Sequence, residues 1–327
     1  MGPLLRRLIA SVAALMLLPA AAAATAPTTP PTPSPVAGTL TLRLPDLFLV
    51  RKQLVAVQAR GFTVEGQVRP YVPGQSVTVQ ERIGKRTVKR VRVTVASSSN
   101  PSFGRFTVHL QMPATGSVTV TAIHTKSATQ LGFRAQRRFL AVARDAHFGS
   151  TGKFVQLIQE RLDALHFYVP QSGVYDGGTG LAVDAYHRLL GWGTSPNLDS
   201  RTITYLLNGW GQFKVRFPSH GRHAEGNLHN QLLALIDGKN VQLIFPISSG
   251  KPSTPTVLGD FHIYRRVPGY LPDGMYYSSF FTGGYAIHGF NPAPDYPASH
   301  GCMRVPIADA ITIYNWLAMG DWVDVYY

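Results

Sequence analysis

The sequence predicts a mostly β chain with a small α module in its middle. Apolar residues alternate at period two over residues 39–142, switch to helical spacing over 145–209, and return to β-type runs over 212–327. At 327 residues, 45% of them hydrophobic, the chain is long enough for two or three domains at ~100–200 residues each.

Met1–Ala24 opens with Arg6 and Arg7, continues through an apolar run from Leu8 to Leu18, and ends in small residues at Ala22-Ala23-Ala24. This is the pattern of a secretory signal peptide cleaved near Ala24. An uncleaved membrane anchor is the alternative, because Leu8–Ala24 is 17 residues, the short edge of a bilayer span. Residues 25–38 follow as a Pro/Thr-rich linker. The expected location is therefore outside the cytoplasm, in the cell wall, periplasm or medium, or at the membrane if the signal is retained. Nucleic acid is excluded as a natural partner on the same ground.

In residues 39–142, Val77 and Val79, Val91, Val93 and Val95, Phe106 and Val108, and Val118 and Val120 mark strands. Pro73-Gly74, Ile83-Gly84, Asn100-Pro101 and Thr115-Gly116 mark tight turns between them. Short strands at this spacing predict a β-sandwich of immunoglobulin type. The segment is strongly basic. Residues 39–144 carry a net charge of +14 and residues 145–327 carry −2, within a total of +14 to which Arg6 and Arg7 add the remainder. Six cations crowd Arg82–Arg92 and are expected to form a cationic face on their strands. Such segregation suits a surface that meets a polyanion; outside the cell that means an anionic wall polymer.

Residues 145–209 read as three short helices. Val155, Ile158, Leu162 and Leu165 define the first; a Gly-rich turn at Ser172–Gly180 precedes a second over Leu181–Leu190; Asp199 caps a third over Ser200–Leu207. The pattern Val155-Gln156, Gln159, Leu162, then Gly173-Val174-Tyr175-Asp176, then Ala182-Val183, Ala185-Tyr186-His187 resembles the peptidoglycan-binding-like module of many wall hydrolases and transferases. The matching positions are mostly core and turn, so the likeness speaks to fold more than to wall binding.

In residues 212–327, Leu232–Ile236 and Val241–Phe245 flank Asp237-Gly238 as a hairpin, Phe261–Tyr264 and Trp322–Tyr326 read as strands, and Pro306–Leu317 as a helix. The only cysteine lies here, so neither a disulfide framework nor a Cys₄ or Cys₂His₂ zinc site can form. It follows Ser299-His300-Gly301 and precedes Met303-Arg304-Val305; His288 and Gly289 lie upstream, across a loop containing Pro292, Pro294 and Pro297. An unperturbed thiol is only slightly ionised at neutral pH, and a histidine within reach makes it a nucleophile. Gly301 would let backbone N–H groups face a developing oxyanion. Spacing alone also allows a buried structural cysteine, or a zinc ion on His288, His300 and Cys302, although His-x-Cys is a poor ligand spacing and no acidic base adjoins it.

His288, ten intervening residues, and Ser299-His300-Gly301-Cys302 together resemble the signature of L,D-transpeptidases of the YkuD-like fold. Ser248-Ser249-Gly250-Lys251, Thr254-Pro255-Thr256 with Gly259, and Phe281–Gly289 are similar to that family's segments before and through the site. One departure is Arg304, where many members carry Asn. The resemblance implies a β-rich catalytic domain over 212–327 and no cofactor. It implies catalytic roles for Cys302, His288, His300 and Gly301, and substrate contacts at Ser299, Arg304, Gly289, Tyr285 and Tyr276. It further implies cleavage of the L–D bond before the terminal D-Ala of a peptidoglycan tetrapeptide stem, a Cys302 thioester, and transfer to a second stem's amine as a 3→3 cross-link. Carbapenem-type β-lactams are expected to acylate the same thiolate. Hydrolysis of the thioester would instead make an L,D-carboxypeptidase, and a non-catalytic wall-binding protein is the rival of another class. Aromatic residues at Tyr276, Phe281 and Tyr285 line the cleft or fill the core.

Overall fold

The structure is a computed structural model that describes residues 34–327; the signal-peptide segment and all but the end of the linker lie outside the described residues. The described chain is mostly β.

Ten strands make the first unit: β1 (Thr39–Arg43), β2 (Phe48–Val50), β3 (Gln53–Val57), β4 (Gly61–Arg69), β5 (Ser76–Ile83), β6 (Arg86–Thr94), β7 (Ala96–Ser97), β8 (Gly104–Gln111), β9 (Gly116–His124) and β10 (Phe133–Val142). They form a four-stranded sheet, β1-β4-β8-β7, and a six-stranded sheet, β2-β3-β10-β9-β5-β6. The inward residues of both, among them Leu42, Val64, Phe106, Val77, Val79, Val118 and Val120, meet in one core. Strict alternation along β8 shows the cause, since every second side chain is buried.

The cations of Arg82–Arg92 do not share one face. Lys89 stands opposite Glu81 and Arg90 opposite Gln80, so adjacent cations point to opposite sides of β6, and a bulge at Glu81/Arg82 breaks the phase again. The outward face takes Arg82, Arg90 and Arg92 from this run and adds Arg134 and Arg138 from β10. Arg134, Ile123, Thr78 and Arg92 lie in one row across β10, β9, β5 and β6; Gln136, Thr121, Gln80 and Arg90 form the next; Arg138, Thr119 and Arg82 form a third.

Three helices follow: α1 (Lys153–Ala164), α2 (Gly177–Leu189) and α3 (Ser200–Asn208). Helix α2 begins four residues earlier than its apolar spacing suggests, because Asp176 accepts the Thr179 N–H at 2.9 Å and caps a first turn rich in glycine. The helices share one apolar cluster with β2 and β3 on one side and with the following sheet on the other, including Val55, Leu157, Tyr186, Leu206, Leu232 and Ile244.

The last unit contains β11 (Arg222–Asn227), β12 (Leu232–Asp237), β13 (Asn240–Pro246), β14 (Gly259–His262), β15 (Arg265–Tyr270), β16 (Tyr276–Thr282), β17 (Tyr285–Gly289), β18 (Met303–Val305), α4 (Ile307–Trp316) and β19 (Trp322–Tyr326). Its sheets run β13-β12-β11-β19-β14 and β15-β16-β17-β18, with α4 packed on β16 and β17. The buried Asp184–Arg188 pair on α2 ties this unit to the helices: the Arg188 guanidinium donates to the carbonyls of Gln231 and Ile247 at 3.3 and 3.1 Å. Among the described residues no helix is long and apolar enough to cross a membrane.

Candidate active site

The site is built on the parallel pair β17–β18. Ile287 stands beside Met303 and His288 beside Arg304, which places Cys302 next to Ala286 at the entrance to β18. Neighbours across a parallel ladder point the same way, and alternate residues point oppositely. Ala286, His288, Cys302 and Arg304 therefore share one face. Ile287 and Met303 turn to the other face and fill the core there with Ala310 and Ile313 of α4.

On the functional face Cys302 is half-buried against Met275, Phe280, Ala286, Val267 and Leu271, so the β15–β16 hairpin and its tip wall the thiol. The Cys302 S–H donates to the Gly284 carbonyl at 3.7 Å. Burial pushes the thiol up, while a hydrogen bond from the Ala286 N–H and the charge of Arg304 pull it down. His288 is buried, and its Nδ1–H donates to the Gly289 carbonyl at 2.9 Å, which leaves Nε2 as the basic nitrogen. Burial brings His288 down to about 4; the Gly289 carbonyl and Asp273 oppose the drop, and Arg304 adds to it. The resting pair is thus a neutral thiol and a neutral imidazole.

Ser299 holds the turn that leads into Cys302. Its hydroxyl donates to the Cys302 carbonyl at 2.6 Å and accepts the Gly301 N–H at 3.0 Å. That engages the Gly301 N–H, one of the groups expected to face an oxyanion, within the loop itself. The loop is backed by Ser249, whose carbonyl accepts the N–H groups of Ala298 and Ser299 at 2.9 Å each. Gly301 has φ +116°, and the Tyr285 ring lies against it.

The Arg304 guanidinium lies over the Phe290 ring, 4.0 Å from its centroid. His300 is exposed, and its Nε2 accepts from Lys251 Nζ at 3.3 Å, apart from the buried His288. Tyr276 and Gly289 stand opposite each other in the β16–β17 ladder, on the face turned to α4 and away from the thiol: a Cβ on Gly289 would meet Ala310 Cβ at 2.7 Å. Pleating explains this, since residues 287 and 289 alternate with 286 and 288. Phe281 is core, packed on Phe261. Sequence reasoning missed Ala286 N–H and Gly284 C=O, which as backbone groups carry no residue-type signal. It also missed Asp273, whose Pro272-Asp273-Gly274 context signals only a turn. Among the described residues no three His, Cys, Asp or Glu side chains converge as metal ligands would.

The family model for the L,D-transpeptidase catalytic domain (YkuD) matches residues 221–325. The solved L,D-transpeptidase of Xylanimonas cellulosilytica is 30% identical over 55% of this chain and 97% of its own, with a TM-score of 0.51. The catalytic domain of the Enterococcus faecium L,D-transpeptidase (25% identity, 33% of this chain and 98% of that one, TM-score 0.30) and the Mycobacterium smegmatis L,D-transpeptidase (12%, 86% and 98%, TM-score 0.30) are more distant. No curated protein matches the chain. The chain belongs to the L,D-transpeptidase family and is an enzyme of that class.

Proposed function

We propose that the enzyme is exported and forms 3→3 cross-links in peptidoglycan, with Cys302 as nucleophile and His288 as its base. The observation that carries this reading is the shared face of Cys302 and His288, with the imidazole tautomer set by the Gly289 carbonyl. Cys302 Sγ attacks the carbonyl of the third stem residue as its proton passes to His288 Nε2. The tetrahedral intermediate collapses, the C–N bond to D-Ala breaks, and His288 returns the proton to the leaving amine. The side-chain amine of a second stem's diamino acid then attacks the thioester, loses a proton to His288 and expels the thiolate. A carbapenem would acylate the same sulfur by opening its lactam C–N bond.

Mass spectrometry of purified tetrapeptide stems incubated with the enzyme tests the reaction. Cross-linked dimers are expected; tripeptides alone would replace the reading with carboxypeptidase activity, and unchanged substrate would leave a binding protein. Cys302→Ala should abolish both product formation and the mass increment left by a carbapenem.

The basic sandwich serves the same enzyme by holding an anionic wall polymer. Support comes from the net +14 of residues 39–144 and from Arg90, Arg92, Arg134 and Arg138 on one outward face. Cosedimentation with purified walls should fall as salt rises, because exposed charges are screened over ~10 Å at 0.1 M.

A further inference from the structure

A cationic side chain stands beside the Ser299–Cys302 loop, and the chemistry of Cys302 and His288 makes no use of it. Lys251 belongs to the turn over residues 250–256, which is fastened to the start of that loop. The Lys251 N–H and the Thr254 hydroxyl both donate to the Ser299 carbonyl, at 3.0 and 3.1 Å. The turn closes on itself as well: the Gly250 N–H donates to Thr256 Oγ1 at 2.8 Å and the Thr254 N–H to the Lys251 carbonyl at 2.9 Å. It is packed so closely that a Cβ on Gly250 would strike the Thr254 carbonyl oxygen. Backbone bonds therefore place Lys251 against the loop.

The Lys251 ammonium lies 3.3 Å from Nε2 of His300, two residues before Cys302. An ammonium can only donate, so Nε2 accepts and the ring hydrogen sits on Nδ1. The pair thus offers donors alone, namely the remaining ammonium N–H groups and His300 Nδ1–H, together with one positive charge. Among the described residues Lys251 pairs with no carboxylate. Two residues of chain span no more than ~7 Å between Cα atoms, so the pair is a near neighbour of the thiol.

The donor stem brings a matching group. Its terminal carboxylate is carried on the carbon next to the nitrogen that leaves, so it enters with the scissile bond. We infer that Lys251, held by His300, binds this terminal carboxylate and makes the enzyme select stems that end in a free acid directly after the scissile bond. This selection rests on the proposed attack of Cys302 on the tetrapeptide stem and adds to it the residue that reads the stem's end. Charge-assisted hydrogen bonds are roughly twice as strong as neutral ones. A terminal carboxamide would offer the ammonium only a neutral oxygen and turn its own N–H groups toward a pair that has no acceptor to give.

The test compares two synthetic donor stems on the full chain, one ending in D-Ala as the free acid and one as the carboxamide, with stem consumption followed by mass spectrometry. The free acid should react at least tenfold faster in kcat/KM. The difference should lie in KM more than in kcat, because the ion pair is made in both the ground and the transition state. Lys251→Met should bring the preference below twofold, and Lys251→Arg, which keeps the charge and the donors, should hold most of it. His300→Leu, which removes the acceptor that holds the ammonium, should lower the preference too and decides the matter if Lys251→Met misfolds. Arg304→Gln should leave the preference standing. Equal rates for acid and carboxamide in the wild type, a preference that survives both Lys251→Met and His300→Leu, or one that vanishes with Arg304→Gln alone would overturn the assignment while stem consumption itself continued. A wild-type enzyme that consumes neither stem would overturn it together with the reading beneath it.

Discussion

The Tyr285 ring occupies the space where Gly301 would carry a side chain: a Cβ built there would sit 1.9 Å from Tyr285 Cε1. Since Gly301 also has φ +116°, two independent penalties meet at the residue before Cys302. Gly301→Ala should therefore lower the rate of Cys302 acylation by ~10²-fold or more, a loss expected when a nucleophile is misplaced by about an ångström. Adding Tyr285→Ala should return part of the rate by relieving the clash while the backbone strain stays. Acylation by a carbapenem, followed by intact mass, reads both; a Gly301→Ala enzyme at wild-type rate would refute the packing argument.

Much of this was legible in the chain and some was not, for identifiable reasons. Cys302, His288 and the Phe281–Gly289 segment, which is the end of β16, a turn and β17, stand out only through their resemblance to the family motif, since spacing alone also allowed a buried cysteine or a zinc site; period-two alternation exposes the sandwich core at Val77, Val79, Val118 and Val120. The partners of the thiol were hidden because Ala286 and Gly284 act through the backbone. Ser299 was legible as a residue but not in its role, which depends on a loop closing on its own Gly301 N–H. The cationic face was misread because Arg82–Arg92 is dense in sequence, whereas Arg134 and Arg138 reach the same face from a distant strand.

Opposite charges flank His288 and Cys302, and they should move the two groups' titrations in opposite directions. Arg304 lowers both His288 and Cys302, and Asp273 raises both. His288 titrates at about 4, so acylation should rise through that pH as the imidazole loses its proton and stay high through neutrality. Arg304→Gln should shift this acid limb, and the thiol's own titration, upward; Asp273→Asn should shift both downward. Carbapenem acylation rates across pH report the first and iodoacetamide alkylation rates the second. Shifts of the same sign in the two variants would contradict the electrostatic assignment.

Glu81 lies at the inner face of β5 with its Oε1 buried and unpartnered, and burial raises its carboxyl to about 7 against the pull of Lys89. The folded state therefore holds this proton more tightly than the unfolded chain, whose carboxyl titrates near the ordinary 4.5. Where the folded state binds more protons, stability falls as pH rises. The loss should run between about 4.5 and 7 and level off above. Glu81→Gln should remove most of that slope and raise stability at pH 8 by ~1–3 kcal/mol, the scale of an unsatisfied buried group. Thermal melts at several pH values check this, and an unchanged slope would show that Glu81 does not govern it.

Arg188 connects the helices to the Cys302 loop through a short series of bonds. Its guanidinium donates to the Gln231 and Ile247 carbonyls; the Gln231 side chain holds Ser249, with Nε2 donating to Ser249 Oγ and Oε1 accepting the Ser249 N–H, each at 2.8 Å; and Ser249 accepts from Ser299. Removing one member of a buried ion pair leaves the other charge uncompensated and typically costs ~3–5 kcal/mol, whereas replacing both with apolar residues can be nearly neutral. Arg188→Met should therefore destabilise on that scale, and Asp184→Leu with Arg188→Met should recover most of the stability. The carbonyls of Gln231 and Ile247 still lack their donor in the double variant, so acylation should remain about tenfold slow, the effect of ~1.4 kcal/mol. Melting temperature and carbapenem acylation rate, measured on both variants well below their melts, separate the two effects. Full recovery of rate along with stability would mean that Arg188 supports the fold and does not position the loop.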